Sequence, residues 1–455
     1  MAKQKKGGIL FPLLILIVII GVIVSVTSEE TPDLQNSIPN PSKTTVSTRY
    51  TAPSLPTVGT NPVTQATTAP STQATNAATT AKPTTAATTV ATKPSQQQTH
   101  TALSNLPAHR RMYQKLNATE KKVYEGLRQT VIDGGLTHVF SNVDITAYYN
   151  GVERAVEALY ADFPEFFWIN GGWRCQSRDD FLGHYVKVEL TCYDYWTYTT
   201  NKQSYIDKVF KAANELTAKA AAQPTTYDKI KYVHDYLVSN VAYNHAALER
   251  IKNGNVPASD QQSHTLYGAL INKTPVCDGY SKTFQLIMNN LGIECEYYEG
   301  ETDGDFYNGV NHAWNYLKLD GQYYWMDVTW DDPDSADYPK AIDYSYFCIT
   351  TDWLDNTHVP YYMFDAPSCT ADAYSYFVKE NAYLTRYSFE AFCAALNSQK
   401  GQQQISVRFA NTAQLQAAVN DIFEKGNYLN IPYFGSIQGV YGYDKTTCTI
   451  KLYYK

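Results

Sequence analysis

The sequence predicts an α+β protein in which a cysteine-bearing helix packs on an antiparallel sheet. A helical/β region precedes this core and a small α+β domain follows it. Three observations predict it. Residues 274–292, TPVCDGYSKTFQLIMNNLG, place Phe284, Ile287, Met288 and Leu291 at helical spacing behind Pro275 and before Gly292. Next, IECEYYEGET and VNHAWNYLKLDGQYYWMDVTW read as successive strands, with turns at Asp303-Gly304 and Asp320-Gly321. Finally, the composition breaks near residue 105: nearly all of the 38 tyrosines lie beyond Pro107.

A chain of 455 residues exceeds one ordinary domain, and this one divides visibly. Residues 1–8 form a basic tail with Lys3, Lys5 and Lys6. Residues 9–26 are an uncharged apolar run of 18, the length of a membrane-spanning helix. Lysines on its short side place that end in the cytoplasm. The expectation is a signal anchor with everything beyond it exported; a cleaved signal peptide is the alternative. Residues 27–104, rich in Thr, Ala, Pro, Ser and Gln, have too little apolar surface to offset their ordering entropy and read as a disordered stalk. The folded body is divided into 105–223, a core over 224–385 and a C-terminal domain over 386–455. The net charge of −7 and the absence of a basic cluster beyond the anchor set nucleic acid aside as a partner.

In the first region, NATEKKVYEGLRQTVIDGG opens on a capping pattern from Asn117 to Glu120. GVERAVEALYADFPEFFW is a second helix ending at Phe163-Pro164. Strands follow in WINGGWRCQSRDDFLGHYVKVELTCYDYW, and a helix in SYIDKVFKAANELTAKAAAQ. In the core, TTYDKIKYVHDYLVSNVAYN sets Ile230, Val233, Leu237 and Val241 on one face. His234 beside them is read as a structural hydrogen-bonder. The tail reads helix (SFEAFCAALNS), strand (QQISVRFA), helix (NTAQLQAAVNDIFEKGN), then strands near LNIPYFGSI and TTCTIKLYY.

Eight cysteines in an exported body permit disulfides, and Cys175 with Cys192 is the expected pair, across a hairpin. No metal-ligand spacing is present and no cofactor is expected. Cys277 stands apart because it falls at a helix start, where free backbone N–H groups and the dipole favour an anion. A thiol there should ionise more easily, and its own N–H can serve as an oxyanion donor; Tyr267 is the candidate for a second donor. Such a nucleophile needs an imidazole base and a group to orient it. NHAWNYL supplies His312 and YYWMDVTW supplies Asp327, on strands joined by a hairpin that sets side chains opposite one another. Asp331 and Asp332 read as a solvated acidic loop in preference to a calcium site, and Trp314 and Trp330 as cleft walls or core.

The strings VCDGYSKTFQLIMNNLGIECEYYEG and NHAWNYLKLDGQYYWMDVTWDDP, with the preceding KIKYVHDYLVSNVAYN, resemble the core of bacterial transglutaminase-like proteins of the papain-like superfamily. The resemblance covers roughly residues 225–335. It implies a papain-like fold with Cys277 as nucleophile, His312 as base and acid, and Asp327 as orienting carboxylate. It also implies acyl transfer or hydrolysis through a thioester, on a protein or peptide substrate such as cell-wall peptide. The competing expectation is a cell-surface binding module on the same scaffold.

Overall fold

Residue 117 is where the folded body's first long helix begins: Asn117 caps α1 (Ala118–Ile132) by accepting from the N–H groups of Thr119 and Glu120, while the Glu120 carboxylate accepts from the N–H of Asn117. In the computed structural model, residues 110–181, 183–252, 257–302, 310–333, 335–361, 363–431 and 440–453 are described. The apolar run 9–26, the stalk 27–104 and the Asp303-Gly304 turn lie outside them. No helix among the described residues is long and apolar enough to cross a membrane.

The second helix, α2 (Ile145–Asp162), ends at Phe163 as Pro164 opens a short 3-10 turn. It packs on a three-stranded sheet of β1 (Thr137–Ser141), β2 (Ile169–Asp180) and β3 (Gly183–Cys192), in the order β1-β3-β2. The β2–β3 ladder corrects the expected disulfide. Cys175 faces Val188, whereas Cys192 faces Ile169 across an irregular register. Four strand positions separate Val188 from Cys192, roughly 13 Å of rise, which no disulfide spans. All eight cysteines are free thiols.

Two helices lead into the core: α3 (Lys202–Ala221) and α4 (Thr226–Asn240), whose Ile230, Val233 and Leu237 are fully buried. The core helix α5 (Cys277–Asn290) lies on a four-stranded antiparallel sheet of β4 (Glu294–Thr302), β5 (Val310–Leu319), β6 (Gln322–Met326) and β7 (His358–Pro360), ordered β6-β5-β4-β7. Polar clamps fix helix to sheet. The Ser281 hydroxyl donates to the Ala313 carbonyl at 2.8 Å, and the Asn315 amide donates to the carbonyls of Ser281 and Glu296 at 3.1 Å each. Each satisfies a buried carbonyl that would otherwise cost about 1–3 kcal/mol. The β5–β6 hairpin closes on Asp320 and Gly321, both left-handed at φ 50° and 79°, between the paired Leu319 and Gln322. That is the two-residue turn that the Asp-Gly dipeptide favours.

Strand β7 reaches the outer side of β4, pairing Thr302 with His358 and Gly300 with Pro360. Gly300 makes this approach possible: a Cβ there would lie 2.3 Å from the Val359 carbonyl oxygen and 2.5 Å from the Trp314 ring. The C-terminal sheet runs β10-β11-β9-β8, from β8 (Tyr383–Leu384), β9 (Gln404–Phe409), β10 (Val440–Asp444) and β11 (Thr449–Tyr453), beside α6 (Phe389–Ser398) and α7 (Thr412–Val419). Among the described residues, the first closing strand is Val440–Asp444. Leu429 and Asn430, where that strand was expected to begin, belong to a 3-10 turn, and residues 432–439 lie outside the described residues.

Candidate active site

Cys277 is the first residue of α5, behind Val276 as N-cap, and is 7% exposed. The backbone N–H groups of Ala313, the neighbour of His312 on β5, and of Asp278 are close enough to favour the thiolate. The helix start does not ease ionisation as expected. Burial pushes the thiol well up and the charges of Asp278 and Asp327 add to it, outweighing those two N–H groups. The backbone N–H of Cys277 lies near the hydroxyl of Tyr243, a half-buried residue that follows α4. Tyr267, the expected second donor, stacks on Tyr205 with ring centroids 4.5 Å apart.

His312 and Asp327 come together: His312 Nε2 lies 2.6 Å from Asp327 Oδ2, with the carboxylate fully buried. The contact is diagonal and not directly across, because the ladder pairs Asn315 with Met326 and Asp327 follows the end of β6. The other carboxylate oxygen, Oδ1, accepts from the N–H groups of Thr329 and Trp330 at 2.9 and 3.1 Å. Burial alone would raise the Asp327 pKa. The charge of His312 and the hydrogen bonds from both His312 and His358 override it and hold the carboxyl well below the usual range.

His358 is the residue that sequence reasoning missed. Its Nε2 lies 3.0 Å from Asp327 Oδ2, the oxygen that His312 also uses, and its Nδ1 lies 2.8 Å from the Thr357 hydroxyl. A three-residue strand carries no periodicity, so no spacing signal marks it. The donor atoms of His312, Asp327 and His358 lie within 4.8 Å of one another, a separation a metal ion could bridge. Hydrogen bonds to one carboxylate oxygen already account for that closeness, and the trio is read as a proton-holding group.

Behind Cys277 a second buried set holds Asp278. His264 Nδ1 lies 2.5 Å from its Oδ2, and the Tyr297 hydroxyl donates to its Oδ1 at 2.7 Å while also meeting Glu299. One hydroxyl proton cannot serve two carboxylates. Hydrogen bonds from His264 and Tyr297 overcome the burial that would raise Asp278 and keep it ionised, whereas burial pushes Glu299 well up, so Glu299 is the protonated partner. Asp331 is likewise no solvated loop acid: it is fully buried, 3.2 Å from His234 Nε2, and accepts from the Tyr346 N–H at 2.8 Å. His234 has the structural role expected of it. Asp332 accepts from the Tyr280 hydroxyl at 2.5 Å. Trp314 is fully buried core against His312 and His358, while the partly exposed Trp330 covers the same imidazoles at 5.7 and 4.6 Å.

Residues 211–329 match the transglutaminase-like superfamily, and the chain carries a transglutaminase-like core. No curated protein matches it. Among solved structures it is similar to a TGase, at 18% identity over 34% of this chain and 44% of that one, TM-score 0.25. It is also similar to a candidate cysteine protease from Cytophaga hutchinsonii, at 13% identity over 34% and 61%, TM-score 0.20. A candidate protease from Parabacteroides distasonis stands at 6% over 34% and 39%, TM-score 0.20. The chain spans less than two thirds of the length of each, and nothing below rests on these three likenesses.

Proposed function

We propose that the chain is a transglutaminase-like cysteine enzyme that transfers or hydrolyses acyl groups of protein or peptide carboxamides or peptide bonds through a thioester on Cys277. The observation that carries this is an imidazole held 2.6 Å from a fully buried carboxylate on the strand pair under the helix that starts at Cys277. A carboxylate only accepts, so His312 carries its hydrogen on Nε2 and keeps Nδ1 free to take a proton.

Because burial keeps the thiol protonated, His312 acts as general base while the sulfur attacks, in preference to a standing thiolate–imidazolium pair. The proton then passes from His312 to the departing nitrogen, leaving the thioester. Water or an amine resolves it, with His312 again removing the attacking proton. As the carbonyl becomes an oxyanion, the Cys277 N–H and the nearby Tyr243 hydroxyl are the donors we assign to it. The apolar run 9–26 and the stalk 27–104 fit a single-pass anchor that holds the body outside the cell, within reach of cell-wall peptide.

The test incubates the full-length protein with a glutamine-containing peptide and a labelled primary amine. Amine incorporation marks transamidation, and ammonia release alone marks hydrolysis. Activity that persists in Cys277→Ala rejects the proposal.

A further inference from the structure

Four donors converge on Asp327, and two of them are imidazoles on a single oxygen. One donor beyond His312 would be enough to satisfy Oδ2, yet a whole strand is brought in to supply it. Gly300 lets β7 approach, and Thr302 pairs with His358. The His358 ring is 1% exposed and enclosed by Trp314 at 4.8 Å, Trp330 at 4.6 Å and Tyr346 at 5.3 Å. Substrate has no route to it, so whatever it does is done through Asp327.

We propose that His358 is a positioning residue: by donating to the same Asp327 oxygen as His312, it fixes that carboxylate and limits its hold on the His312 proton. This rests on the reading of Cys277, His312 and Asp327 as the reactive set. A buried carboxylate against a lone imidazole favours the imidazolium strongly, and a base that is always protonated cannot accept a proton. A second, neutral donor disperses the carboxylate charge without adding a net charge. His358 suits this part because burial, with the nearby His312, keeps it uncharged against the opposing pull of Asp327. The Asp327 carboxylate only accepts, so Nε2 is the protonated nitrogen, while Nδ1 faces the Thr357 hydroxyl. The other titratable groups coupled to Asp327 are Cys277 on α5 and Tyr243 and Tyr346 on connecting segments, Tyr346 lying against the His358 ring. A change at His358 leaves all of them in place.

The test uses the full-length protein labelled with ¹⁵N-histidine, in wild type, His358→Phe and His358→Gln. One readout is the His312 titration midpoint from ring ¹⁵N shifts; the other is the rate of Cys277 alkylation by iodoacetamide at pH 7, mapped by mass. Phe keeps the bulk without the donor. We expect it to raise the midpoint by about one unit and to slow alkylation about tenfold, the loss of one hydrogen bond's worth of free energy. Gln, whose amide reaches the position of Nε2, brings both back near wild type. Should Phe not fold, His358→Asn, whose amide stops short of Asp327, takes its place. An unmoved His312 midpoint in the donorless variant, or a Gln variant no closer to wild type than Phe, overturns the proposal. If alkylation of wild-type Cys277 is the same in His312→Ala, the reactive set itself is wrong, while the midpoints still decide the question of His358.

Discussion

His312 and Asp327 touch at 2.6 Å although no ladder pair joins them. The imidazole stands within β5, and the carboxylate stands one residue beyond the end of β6, anchored by the N–H groups of Thr329 and Trp330. The carboxylate is thus held by backbone on one oxygen and presents the other to the ring. Asp327→Asn would keep the shape but set the amide NH₂ against both imidazole N–H groups or, flipped, against the N–H groups of Thr329 and Trp330. We expect a loss of Cys277 thioester formation on the order of 10³-fold or more, because the tautomer is lost, and a stability loss of about 1–3 kcal/mol. Trapped thioester measured by mass, alongside chemical denaturation, checks both.

The same carboxylate makes stability depend on acid. Its folded pKa is depressed, so the stability it contributes is full above the unfolded value of about 4 and is lost as the pH falls through that region and below. Thermal melts of wild type and Asp327→Asn should therefore converge on acidification below about pH 4. A constant gap would contradict the four-donor arrangement.

Burial, not the helix start, controls the Cys277 thiol. In His312→Ala, with the base removed, alkylation of Cys277 should climb only above the ordinary thiol range of about 8.5 and show no plateau at neutral pH. A plateau near pH 6 in that variant would mean that the sulfur is a standing thiolate.

Glu299 shares a hydroxyl with ionised Asp278 and has its pKa pushed up by burial. A raised folded pKa gives stability that is full below about 4.3 and lost as the pH rises toward the folded value. Gln cannot ionise. Glu299→Gln should be at least as stable as wild type, with its advantage growing from about pH 5 to about pH 8, whereas Asp278→Asn should cost about 1–3 kcal/mol by unpairing His264. Denaturant midpoints at the two pH values decide it.

Gly300 admits β7 against β4. Gly300→Ala should displace the strand, loosen the His358–Asp327 contact and reduce Cys277 reactivity more than its effect on the melting temperature suggests. Equal reactivity in the two proteins would show that β7 has no part in the site.

What was legible in the sequence followed from local rules. Asn117 and Glu120 announced a cap, Asp320-Gly321 a two-residue hairpin, and the apolar spacing from Phe284 to Leu291 the helix that starts at Cys277. Reading His312 and Asp327 together required only a hairpin. What escaped depends on long-range packing. His358 arrives on a short strand whose partner lies more than fifty residues earlier, and the Cys175–Cys192 pairing failed on the hairpin register, which sets Cys175 against Val188, four positions from Cys192. Asp331 sits in an acidic run that reads as solvated, until α4 and His234 cover it.

The most direct test is the adduct formed by an electrophilic glutamine analogue, located by residue in wild type and in His312→Ala. A single adduct on Cys277 that forms rapidly at neutral pH and nearly vanishes when His312 is replaced is the expected result. Labelling spread over other cysteines, or an adduct on Cys277 indifferent to His312, would contradict the account and leave a tethered scaffold without this chemistry.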